Sequence, residues 1–217
     1  MTSVATFTKP RLRGWLHTGA LPVALVAGFV LVALGPTTQA RLASAIYAIT
    51  SALLFGISAT YHRSTLGPRL AEVLRRFDHA NIYLIIAGTY TPFALLALDG
   101  LPRIAVLGVT WGGALAGVLF RMFWMSAPRW LYTVLYLALG WTAIFVMPQL
   151  LQGAGIAAVT LVAVGGVLYS AGAIVYGLRR PDPSPRWFGF HEVFHALTVA
   201  AYLVQYIAVS IVVYSHG

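Results

Sequence analysis

The sequence predicts an all-α polytopic membrane protein, a seven-transmembrane helix bundle with its N-terminus cytoplasmic and its C-terminus outside. Three observations predict it. Of 217 residues, 59% are hydrophobic and only 9% charged, whereas a soluble domain carries about 25% charged residues. The apolar residues gather into runs long enough for a helix to cross ~30 Å of hydrocarbon, which needs roughly 20 residues. The positive charges fall on alternate loops, as in a chain threaded through a bilayer in one sense. So few charges cannot keep this much apolar surface in water, so lipid is the solvent for most of it.

The runs are Thr18–Gly35, Ala43–His62, His79–Leu98, Ile104–Trp124, Leu131–Leu151, Gly155–Leu178 and His191–Tyr214. The first follows Lys9, Arg11 and Arg13, a basic lead that also suits a signal peptide. It is as long as its neighbours, and Thr38-Gln39-Ala40 is a poor cleavage site, so it reads as a retained span. The third contains Pro92, which should kink the helix and free the Gly88 carbonyl. The fourth carries Gly108-x-x-x-Gly112 and Gly113-x-x-x-Gly117, spacings that suit close helix packing. Only Gln152-Gly153-Ala154-Gly155 separates the fifth run from the sixth. They read as a tight antiparallel pair, because about 48 apolar residues are too many for one crossing. Trp15, Trp111, Trp124, Trp130 and Trp187 mostly fall near span ends, as interfacial anchors do. Neither a soluble domain nor a repeat is visible, so 1–217 reads as one transmembrane domain with residues 1–17 as its cytoplasmic lead.

Charge sets the orientation. Lys9, Arg11, Arg13, Arg63, Arg69, Arg75, Arg76, Arg121, Arg129, Arg179, Arg180 and Arg186 share one side; only Arg41 and Arg103 lie on the other. Positive residues favour the cytoplasm. The formal net charge of +9 is explained by this placement, and with no basic stripe or RNA-binding motif no nucleic acid is expected as a partner. The absence of cysteine excludes disulfides, thiolate metal sites and thiol nucleophiles.

Ionisable groups at membrane depth are costly and usually mark function. His62 closes the second span with Ser58 four residues before it; Asp78 and His79 open the third; His191, Glu192 and His195 open the seventh. Three helices thus deliver polar side chains to one depth on the cytoplasmic side. The i,i+4 spacing of His191 and His195 stacks both imidazoles on one helix face, where they can share a metal ion. His62 would complete three nitrogen ligands and leave an open position for water, the arrangement of a catalytic zinc site. Without cysteine the donor set suits zinc, with iron, cobalt and nickel as alternatives. His17 and His79 read as interfacial residues, and His216 as a tail residue.

His191-Glu192-Val193-Phe194-His195 is also literally H-E-x-x-H, the zinc-protease motif, with Glu192 as the general base. Such a site wants a further acidic ligand. No acidic residue follows Glu192, and Asp99 lies at the opposite end of the third span, about 30 Å away for a spanning helix. A protease site is therefore not expected.

Several motifs together resemble a known family. They are Lys9-Pro10-Arg11-Leu12-Arg13-Gly14-Trp15-Leu16-His17; Ser58-Ala59-Thr60-Tyr61-His62-Arg63; Asp78-His79-Ala80-Asn81-Ile82-Tyr83 leading into Gly88-Thr89-Tyr90-Thr91-Pro92; and Gly189-Phe190-His191-Glu192-Val193-Phe194-His195. In this order the chain resembles the haemolysin III branch of the progestin and adipoQ receptor (PAQR) family over nearly its whole length. The resemblance implies seven helices and a zinc ion near the cytoplasmic face, with His62, His191 and His195 as its ligands. It further implies that Asp78 holds a zinc-bound water and that Ser58 lies beside the site. Eukaryotic relatives are hormone receptors, the wider superfamily includes alkaline ceramidases, and bacterial members are linked to membrane lipid homeostasis. A long N-terminal extension of the adiponectin-receptor type is missing, so hormone binding is not expected.

The leading expectation is a zinc-dependent hydrolase of a lipid amide or ester, with Asp78 and Ser58 as catalytic residues and membrane lipids as partners. The alternatives are a non-catalytic, zinc-stapled sensor of membrane state and a cytolytic pore. A pore wants polar residues along a whole helix face, whereas the polar groups here cluster at one end.

Overall fold

A computed structural model of the chain describes residues 10–216; Lys9 lies outside them. The described residues form helices α1 (Trp15–Leu34), α2 (Thr38–Arg63), α3 (Pro68–Ala97), α4 (Gly100–Phe123), α5 (Arg129–Gly140), α6 (Met147–Leu178) and α7 (Phe190–Ser215), with a short 3-10 turn, Thr142–Val146, between α5 and α6. The only non-helical pairing among the described residues is a single bridge between Ser184 and Phe188.

Among the described residues six helical stretches are long and apolar enough to cross a membrane, one fewer than the sequence reading, because Arg129–Leu178 forms one 50-residue stretch. The chain nevertheless doubles back within it. Gly155 has φ 76° and ψ 165°, a region essentially confined to glycine. On either side of that corner the two helical arms lie side by side: Trp141 Nε1 donates to Ser170 Oγ at 3.0 Å, and the Trp141 ring lies against Gly166. The corner is seated on the end of α3, so closely that a Cβ on Gly153 would stand 1.9 Å from the Ala97 carbonyl oxygen.

Helix α3 is the axis of the bundle, touching α2, α4, α5, α6 and α7, while α7 also packs on α1 and α6. It starts at Pro68, well before the predicted His79. Proline suits the first helical turn, and Glu72 then bonds Arg75 at 2.7 Å and Arg76 at 3.2 Å on the same helix. These polar pairs extend the helix beyond its apolar run, so Asp78 and His79 lie about three turns inside it. At the other end α3 continues through Pro92 as a single helix. Thr91, buried beside that proline, accepts from Trp111 Nε1 at 3.0 Å. Trp111 is thus a mid-helix link to α4, not an interfacial anchor. Of the four predicted packing glycines, Gly113 receives the Leu139 side chain and Gly117 the Tyr83 ring; Gly108 and Gly112 face open space.

The core is a continuous apolar cluster that includes Leu54 and Phe55 of α2, Ile85 and Phe93 of α3, and Tyr202 and Val209 of α7. Large apolar side chains such as Phe29, Leu101, Phe123, Phe145 and Ile156 point outward and are exposed. So many large apolar side chains on the outside of the bundle are the pattern of a protein solvated by lipid. The protein is an integral membrane protein.

Candidate metal centre

The arginine-rich end of the bundle holds the polar cluster. His62 occupies the last turn of α2, and His191 and His195 the first turns of α7. Their ligand atoms all lie within 4.8 Å of one another. His62 Nε2 and His191 Nε2 are 3.2 Å apart, close to the ~3.3 Å between two nitrogens each ~2.05 Å from a tetrahedral zinc ion. The donor set is nitrogen only, inter-helical and almost fully enclosed, since His62 and His195 are buried and His191 half-buried. Three imidazoles converging in this way form a candidate metal site, and their donor set is compatible with zinc.

Asp78 Oδ2 lies 3.8 Å from His62 Nε2 and 3.9 Å from His79 Nδ1. Ser58 is one turn before His62, and its Oγ is buried, on the side of Asp78. The structure therefore brings together all five residues singled out for the site: Ser58, His62, Asp78, His191 and His195. The carboxylate stands beside the imidazoles.

Two other polar residues behave differently from their sequence reading. His17 is not interfacial: it is buried at 3% exposure and stacked flat on His195, with ring centroids 3.8 Å apart and planes 3° from parallel. Both of its nitrogens are buried without a partner. Its signal was available, since it too lies at the arginine-rich end of its span, but nothing in its spacing paired it with α7. His79 is also inside the bundle: its ring bridges the Arg75 carbonyl at 2.8 Å and the Tyr176 hydroxyl at 3.3 Å.

Glu192 is turned away from the histidines. Its Oε2 accepts from Gly189 N at 2.8 Å, closing a capping box at the start of α7. Its Oε1 accepts from Arg13 Nε. The same segment is tied down by Arg11 N and Leu12 N, which donate to the Arg186 and Trp187 carbonyls at 3.0 and 3.1 Å. Gly14 then turns the chain into α1 with φ 82°, so close to α2 that a Cβ there would lie 2.6 Å from His62 Cβ. Glu192 is thus a structural clamp, and Asp99 is bound to Arg103 at 2.7 Å at the far end. Neither supplies the acid that a protease reading requires.

An apolar cavity of about 150 Å³ opens beneath the cluster. It runs from His191 and His195 past Ile82, Ile86 and Phe93 to Gln205, about 15 Å along α7 from His195.

Fold and site together define a class: an all-helical integral membrane protein whose helices α2 and α7 join through three histidines able to hold a metal at one end of the bundle. Residues 5–206 match the family described as "Haemolysin-III related". The chain belongs to this haemolysin III/PAQR family. It is 36% identical over 141 residues to the "Hemolysin-3 homolog" of Bacillus subtilis (strain 168), covering 64% of this chain and 66% of that one. It is 29% identical over 180 residues to "Hemolysin-3" of Bacillus cereus, covering 81% and 82%. Its similarity to the "Adiponectin receptor protein" of Drosophila melanogaster is 24% identity over 213 residues, covering 80% of this chain and 43% of the receptor.

Proposed function

We propose that this protein is a zinc-dependent hydrolase of a lipid amide or ester that contributes to membrane lipid homeostasis, with its arginine-rich end in the cytoplasm. One observation carries the reading: three converging imidazoles and the Asp78 carboxylate stand at the head of an apolar cavity. Zinc held by His62, His191 and His195 would supply Lewis acidity and an acidified water. Asp78 orients the attacking water and accepts its proton. Ser58 Oγ, buried beside Asp78, donates to the carbonyl oxygen as negative charge develops there. The acyl chain lies between Ile82, Ile86 and Phe93, while the headgroup stays at the interface.

A second reading has one observation in its favour. The three ligands come from the ends of two helices, so zinc would also staple α2 to α7 in a non-catalytic sensor of membrane state. The haemolysin name of the Bacillus relatives raises a third reading, a pore. The apolar walls of the cavity weigh against it, because a conducting path needs polar lining throughout.

The test is metal analysis of purified protein alongside fatty-acid release from a panel of lipid amides and esters. His191→Ala should lose metal and turnover together. Asp78→Asn should retain metal and lose turnover by at least a hundredfold, in the range typical of a general base. Full activity in metal-free protein would defeat the hydrolase reading. Normal support of membrane function by metal-loaded Asp78→Asn would favour the staple.

A further inference from the structure

A second polar site lies beside the metal centre and shares none of its ligands. Arg121, in the last turn of α4, is only 2% exposed, and its Nε and Nη1 are buried without a hydrogen-bond partner. Its guanidinium lies over the Tyr132 ring at 4.4 Å. Arg129, the first residue of α5, lies over the Tyr176 ring at 5.3 Å, and its Nη1 is also buried and unpartnered. The Tyr132 and Tyr176 rings are 6.4 Å apart, so the two cations flank one aromatic pair. Tyr83, whose ring fills the space left by Gly117 one turn before Arg121, adds a buried hydroxyl with no partner.

Among the described residues no carboxylate is paired with either arginine. All five Asp and Glu side chains lie among those residues and are engaged elsewhere. Glu72 holds Arg75 and Arg76, Asp99 holds Arg103, and Glu192 holds Arg13. Asp182 accepts from Phe190 N, and Asp78 stands between His62 and His79. An aromatic face attracts a guanidinium but accepts none of its in-plane N–H bonds. A buried cation in this condition is very unfavourable unless an anion joins it.

We propose that Arg121, Arg129 and Tyr83 form a phosphate-binding site that takes the headgroup phosphate of a phospholipid or free inorganic phosphate. Guanidinium forks match phosphate oxygens in pairs, and the tyrosine hydroxyl serves a further oxygen. The site is at headgroup depth: Phe123 and Trp124, two and three residues after Arg121 on the chain, are exposed to the surroundings, as residues of an interfacial belt are. Tyr176 separates it from the histidines, with its ring 5.8 Å from that of His191. The site is independent of whether the metal centre is catalytic.

The test uses full-length protein washed in detergent, with retained phosphorus assayed before titration. Short-chain phosphatidylglycerol, inorganic phosphate and a diacylglycerol of the same chain length are then titrated while thermal unfolding is followed. A saturable rise in Tm with phosphatidylglycerol alone assigns the site to a lipid headgroup; the same rise with inorganic phosphate assigns it to the free anion. Phosphorus that resists washing in the wild type and is lost from the variants also counts as the lipid case. Arg121→Gln should raise the half-saturating concentration about tenfold or more, the effect of losing one charge-assisted contact, with metal content unchanged. Arg129→Gln, at a more exposed position, should do the same, and decides the matter if Arg121→Gln does not fold. The proposal is overturned if no phosphate compound is retained or shifts Tm, if diacylglycerol acts equally well, or if the folded variants respond as the wild type does.

Discussion

Glu192 sits between two metal-site histidines in sequence, yet its carboxylate caps α7 and holds Arg13. His17, about 175 residues from His195 along the chain, is stacked flat on that ring. Helical geometry explains both. Residues one position apart on a helix point in different directions, so neighbours of ligands are not thereby at the site, whereas a residue on another helix at the same depth can be. His17 fixes the plane of the His195 ring by contact rather than by hydrogen bonding, since both its nitrogens are unpartnered. Accordingly His17→Ala should weaken zinc binding about tenfold, the lower end of what loss of a supporting residue does to a metal site. His17→Phe, which keeps a flat ring, should bind zinc nearly as the wild type does. Competition titration against a chromogenic chelator distinguishes the two.

At the level of helices, periodicity and charge made most of the fold legible. Six of the apolar runs lie on single helices, whereas the fifth, Leu131–Leu151, is divided among α5, the 3-10 turn and the start of α6; the i,i+4 spacings of Ser58 with His62 and of His191 with His195 put each pair one helical turn apart, as expected. What the sequence did not reveal was set by side-chain contacts, some within a helix and some between helices. The start of α3 was missed because ion pairs on Glu72 extend it through a polar stretch, and hydropathy does not register those. Trp111 was misread because its partner, Thr91, is on another helix. The hairpin within Arg129–Leu178 was legible in its glycines but not in its detail: Gly155 makes the corner, and Gly153 lets it press against α3. Gly155→Ala should therefore cost about 1–3 kcal/mol, the strain of a side chain in that backbone region. A lower Tm in detergent, with metal content per folded molecule preserved, is the expected readout.

For the bundle as a whole, the three candidate ligands come from α2 and α7, and α3 brings Asp78 alongside them. Any ion bound there favours the assembled state over states in which those helices have separated, in proportion to the logarithm of its concentration over Kd. Prolonged chelation should lower Tm by several degrees, and added zinc should restore it. His191→Ala should start at the lower Tm and respond to neither treatment. A wild type indifferent to chelator would mean that the helices hold the histidines together unaided.

The strap formed by Arg11, Leu12, Arg13 and Gly14 has a practical corollary. It grips the loop before α7 through Arg186 and Trp187, the first turn of α7 through Glu192, and the last turn of α2 through the van der Waals contact of Gly14 with His62. Both helices that carry the histidines are therefore mechanically coupled to the chain's leading segment. An affinity handle or fluorescent fusion attached ahead of it would pull on the ligands it is meant to report, so such additions belong after α7, at the far end of the bundle.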